Sequence, residues 1–138
     1  MIVDLRYAAV IGTFHVGFNP QGVAVSPDGA RVYVTNISND NVAVIDTATN
    51  TVLRTIRVGD FPQDVAISHD GSLANVTAMT GTAVSVIDTA TDTIIATLPV
   101  SGSTGVAIRP DGNTIYVASV GKVTVLKFGQ AQTPAASV

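Results

Sequence analysis

The chain has 138 residues, 46% of them hydrophobic, a net charge of −3 in which all ten acids are aspartate, seven basic residues, and no cysteine or tryptophan. That length suits one ordinary domain with a real core, while the lack of cysteine excludes disulfides, thiolate metal sites and cysteine catalysis. The basic residues Arg6, Arg31, Arg54, Arg57, Arg109, Lys122 and Lys127 are scattered, which argues against nucleic acid as a partner, and no apolar run approaches the roughly 18 residues of a membrane span.

Residues 1–17, "MIVDLRYAAVIGTFHVG", place Asp4 ahead of any basic residue and lack a long apolar centre, so they do not read as a signal peptide. The segment aligns with "VIDTATNTVLRTIRVG" at an offset of 42, setting Asp4 on Asp46 and Gly17 on Gly59. Residues 10–16 are therefore expected to form an outer strand whose own sheet is otherwise missing.

The next segment, 18–59, divides into four runs rich in Val, Ile and Thr: 22–26, 31–36, 41–46 and 51–58. β-Branched residues suit a pleated surface, and the Gly, Pro, Asn and Asp between the runs are turn formers. In "SPDG", Pro27 supplies φ near −65° and Gly29 a positive φ, closing a tight hairpin around Asp28. In "DTATN", Asp46 is placed to accept hydrogen bonds from the turn backbone.

The pattern returns in 60–100 and 101–128, with Val23, Val65 and Val106 in register at spacings of 42 and 41. Asp70–Gly71 and Asp111–Gly112 repeat the hairpin turn, and Asp88 repeats Asp46. Repeats of this length point to solenoids or propellers. Segments such as "NVAVID" and "AVSVID" are apolar at nearly every position, so both faces of their sheets are covered; the fourth run, with Arg54, Thr55 and Arg57, is wetter, as an outer edge should be. The expected fold class is all-β: a propeller of four-stranded antiparallel blades, about three per chain.

Tyr33-Val34-Thr35-Asn36, "VAVSPDG" and "VAVIDTATNTV" resemble the YVTN-type β-propeller repeats of surface-layer and other exported proteins. The signature weakens to Asn75-Val76-Thr77-Ala78 and Tyr116-Val117-Ala118-Ser119, and the resemblance covers residues 2 to about 128. It implies a propeller, commonly seven-bladed, and a cell-surface or periplasmic setting, but no single activity.

About three blades do not close a ring, which needs at least four. "KVTVLKF" (122–128) matches a third strand, and "GQAQTPAASV" (129–138) reads as a flexible tail without a fourth. Residues 1–17 would then complete the blade of a partner, and two chains would make a six-bladed homodimer and three a nine-bladed ring; the alternative is that the chain is a fragment of a longer propeller. On that reading, deleting residues 1–17 abolishes assembly.

No catalytic constellation is expected. His15 lies on an outer strand and His69 replaces a turn proline; the aspartates recur a blade apart instead of converging on an ion; and "SGSTG" (101–105) lacks the G-x-S-x-G order. No metal or cofactor is called for. Asn36-Ile37-Ser38 and Asn75-Val76-Thr77 satisfy the glycosylation sequon, the first in an expected loop and the second in an expected strand.

The loops "GFNPQG" (17–22), "GDFPQD" (59–64), "VSGSTG" (100–105), "NISNDN" (36–41) and "AMTGTA" (78–83) gather on one face, where Asn19, Gln21, Phe61, Gln63 and Asp64 are the candidate contacts for a protein, glycan or small ligand. The expected function is a non-catalytic scaffold or binding module. The alternative is a propeller enzyme resembling lactonases or quinone-dependent dehydrogenases, which would need Glu, Asp, His or Trp clustered at the channel.

Overall fold

A computed structural model describes residues 1–127 and Ala136–Ser137. It is all-β apart from one 3-10 turn at Ile37–Asn39. A two-stranded sheet pairs β1 (Ile2–Asp4) with β2 (Ala9–Gly12). Blade 1 runs β3 (Pro20–Val25), β4 (Arg31–Asn36), β5 (Asn41–Asp46) and β6 (Thr51–Arg57). Blade 2 runs β7 (Pro62–Ile67), β8 (Leu73–Ala78), β9 (Val84–Asp88) and β10 (Thr93–Leu98). Blade 3 runs β11 (Ser103–Ile108), β12 (Thr114–Ser119), β13 (Lys122–Lys127) and β14 (Ala136–Ser137).

Every sheet is an antiparallel meander, each strand beside its sequence neighbour. The first strands β3, β7 and β11 pack next to one another, so the blades fan from a shared edge. The arrangement is propeller-like.

The hairpins follow from turn chemistry. Gly29, Gly71 and Gly112 have φ of 73°, 79° and 76°. The amide of Gly29 donates to the Ser26 carbonyl at 2.8 Å, while the Asp28 carboxylate accepts from the Ser26 hydroxyl at 2.6 Å and the Ala30 amide at 2.9 Å. Asp70 accepts from the Ser72 amide and the Ser68 and Ser72 hydroxyls, which hold its carboxyl down at about 2. Asp111 accepts from the Asn113 amide at 2.9 Å. At the other turns, Asp46 and Asp88 accept from the amides of Ala48 and Ala90 at 3.2 and 2.9 Å.

The blades are stacked on apolar faces. Between blades 1 and 2 lie Tyr33, Val42, Val44, Val65, Val76 and Ile87, and between blades 2 and 3 lie Val84, Val86, Ile115, Val117 and Leu126. Alternation along each strand sends successive side chains to opposite seams, so the strands read apolar throughout.

The ends differ from expectation in two ways. Residues 1–17 are more than one outer strand: β1 pairs with β2 within the chain, aligned with the third and fourth strands of a blade. Within the expected tail 129–138, Ala136–Ser137 pair with Val125 and Thr124 in the fourth-strand position; the remainder of that segment, and Phe128, lie outside the described residues.

Candidate functional site

The loop face is built from the fourth-to-first connections and the second-to-third loops. Asn19, Phe61 and Gly102 occupy equivalent positions and share left-handed backbone, with φ of 52°, 56° and 64°. Glycine takes this conformation freely; a non-glycine there is held by its surroundings. The holding bonds are visible. The amide of Phe61 donates to the Asp40 carboxylate at 3.0 Å and its carbonyl accepts from the Met79 amide at 2.9 Å. The Asn19 carbonyl accepts from the Ile37 amide at 3.0 Å, and its side-chain amide donates to the Ser38 hydroxyl at 2.6 Å.

Asn19, Gln21 and Phe61 are exposed on this rim, whereas Gln63 and Asp64 are half-buried. Asp64 is committed to the fold: one carboxylate oxygen accepts from the Val65 amide at 2.9 Å and the other from the Val106 amide of blade 3 at 3.2 Å. The Gln63 carbonyl lies 3.4 Å from the Thr35 hydroxyl of blade 1, which donates to it. Of the five candidates, Asp64 spends its side chain on the seams and Gln63 only its backbone carbonyl, while Asn19, Gln21 and Phe61 stand on the open rim.

His15 is exposed with its ring edge-on to Phe18 at 5.6 Å, and His69 is exposed in a turn. Among the described residues no group of three or more His, Asp, Cys or Glu is placed to hold a metal ion. Both sequon asparagines are buried, Asn36 donating to the Val16 carbonyl at 3.1 Å, so neither accepts a glycan in the folded chain. That corrects the reading of Asn36 as a loop site: it closes β4.

A second polar cluster, which no motif announced, lies on the opposite face. The Asp92 carboxylate, 2% exposed, accepts from the Tyr33 hydroxyl at 3.0 Å and pairs with Arg31 and Arg54 of blade 1, both at 3.3 Å. Burial foremost, and then the Asp92 charge, push the Tyr33 phenol up to about 12. Its signal was a charge change in the repeat: Asp92 stands where blade 1 has Asn50, one blade after Arg31.

The third feature is a groove of about 730 Å³ between the β1–β2 hairpin and blade 1, lined by Ile2, Ile11, Val23, Val25, Ile45 and Asn50 among others. Val23 and Val25 are 65% and 57% exposed, although Val65, the blade 2 counterpart of Val23, is 4% exposed beneath blade 1.

Neither a protein-family model nor a curated protein matches the chain. Among solved structures it is similar to a chain of Kuenenia stuttgartiensis hydrazine synthase, with a TM-score of 0.90 and 32% identity over 98% of this chain and 41% of that one. It is also similar to a functionally unknown protein from Desulfotomaculum acetoxidans, with a TM-score of 0.84 and 20% identity over 98% of this chain and 47% of that one. The chain thus spans less than half the length of either.

Proposed function

We propose that this chain is a non-catalytic, YVTN-type propeller module that works as an assembly: arcs of three repeats meet through their end faces to close a six-bladed disc from two copies. The loop rim around Asn19, Gln21 and Phe61 is then the recognition surface for a protein, glycan or small ligand. The observation that carries the assembly is the open apolar face of β3, where Val23 and Val25 stand exposed although their counterpart Val65 is buried and Ile67, Val106 and Ile108 are half-buried. Covering several hundred Å² of such surface at roughly 25 cal/mol per Å² favours association by about 10 kcal/mol before entropy.

The non-catalytic reading rests on how the polar groups of the loop face are used. Asp40, Asp64, Thr35 and Asn39 bond to backbone groups of adjoining loops and strands. The chain has no glutamate or tryptophan and only two histidines with which to build a propeller enzyme's channel site. Sedimentation equilibrium tests the assembly: the expected mass is twice 14.1 kDa, and a stable monomer overturns it. Calorimetric titration with calcium and with pyrroloquinoline quinone tests the rest; a saturable site for either reinstates the enzyme.

A further inference from the structure

The groove beside blade 1 has the outline of two missing strands. Blades 1 and 2 each have four strands, the N-terminal sheet has two, and those two align with the third and fourth positions. What belongs in the gap is shown by the blade 1–blade 2 seam, where β3 and β4 cover β7. The occupant is thus a first-and-second-strand hairpin of this same repeat.

Blade 3 presents such a hairpin with its far face open. Tyr116, the counterpart of Tyr33, is 40% exposed, whereas Tyr33 is 1% exposed beneath blade 2. Val123, the counterpart of the buried Val42, is exposed as well.

The polar groups of the two open faces match. In the existing seam, a tyrosine hydroxyl on the second strand donates to Asp92, and Arg31 and Arg54 neutralise the carboxylate. On the open face of blade 1, the position of Asp92 is held by Asn50, with the same left-handed backbone at φ of 55° against 53°. On the open face of blade 3, Tyr116 keeps the donor, while the position of Arg31 is taken by Thr114, which is buried. The acceptor is neutral on one side and the arginine is absent on the other, where Lys127, opposite Thr114 in register, is the basic group of that face.

We propose that β11 and β12 of a second copy fill the groove and cover Val23 and Val25, with the Tyr116 hydroxyl donating to the Asn50 side-chain carbonyl as Tyr33 donates to Asp92. This rests on the self-association proposed above and names the surfaces that meet. One further consequence concerns β1–β2, which occupies the positions that β13 and β14 fill in blade 3. The junction blade has room for one such pair. β13 is paired with β12 from Lys122 to Lys127, whereas β1 is held to β2 through Ile2–Asp4 alone, so β1–β2 gives way.

The test uses the full chain and the dimer dissociation constant from sedimentation. Asn50→Asp introduces the residue that "DTATD" already carries in blade 2, so the turn is preserved; it leaves a carboxylate without an arginine in the junction and raises the constant at least tenfold. Tyr116→Phe raises the constant about fivefold. If the wild type dimerises and both variants dimerise equally well, this interface is overturned while self-association stands. A wild type that stays monomeric at every concentration overturns both.

Discussion

Asp92 is a buried carboxylate that two half-exposed arginines and a phenol make tolerable, and its removal should be felt mainly through what it leaves behind. The Tyr33 hydroxyl loses its acceptor inside the seam, and an unpaired buried hydroxyl costs about 1–3 kcal/mol. The same contact links stability to alkaline pH. The Tyr33 phenol is raised from its ordinary value near 10 to about 12, so the folded chain holds that proton more tightly than the unfolded one. The linked stability is complete below pH 10 and is lost as pH rises towards 12, on the order of 2 kcal/mol in all. Tyr33→Phe should melt at a lower temperature than wild type at pH 8, with the gap closing above pH 11; a gap that stays constant to pH 12 contradicts the link. At this scale, the turn aspartates were legible because their partners lie within two residues. Asp92 was not: "DTATD" reads as a solvated turn, and its partners come from the preceding repeat, 59 and 61 residues away.

The strands were legible as elements, since Val, Ile and Thr runs bounded by Pro, Gly and Asp leave few alternatives, and 31–36 and 41–46 match β4 and β5. Their inner ends were less so. β3, β7 and β11 each begin with a register shift against their neighbours, where Pro20, Pro62 and the Ser103–Gly105 stretch bulge. At one of these bulges blades 1 and 2 approach closely. A Cβ on Gly22 would lie 2.8 Å from the Gln63 carbonyl oxygen and 2.9 Å from the Asp64 Cα, both backbone atoms that do not swing aside. Gly22→Ala should therefore force blades 1 and 2 apart, costing about 1–3 kcal/mol in chemical denaturation. The equivalent Gly105→Ala, with only the Ala118 Cβ at 3.7 Å, should be nearly silent. Equal effects at the two positions would refute the close-approach argument. The β1 strand escaped the sequence reading because three residues carry little pattern of their own; it is defined by pairing with β2.

For the whole molecule, the period near 42 and the four runs per repeat carried the propeller-like arrangement, because a sheet that is apolar on both faces must be stacked. How the arc ends was not legible, since identical strands are covered or open according to what lies beside them. The twofold claim on the third and fourth strand positions reverses one expectation. If a second copy's blade 3 enters the groove, the β1–β2 hairpin competes with it. Removing residues 1–12 should then tighten the dimer several-fold in sedimentation; weaker dimerisation would instead show that the hairpin completes the partner's sheet.

Two carboxylates of blade 2 reach its neighbours from opposite sides of the arc. Asp64 clasps blade 3 on the side of the loops, whereas Asp92 clasps blade 1 on the side of the hairpin turns. Blade 1 is gripped at both rims, since Thr35 and Gln63 meet on the loop side, so severing the Asp92 clasp alone would leave that joint hinged and not parted.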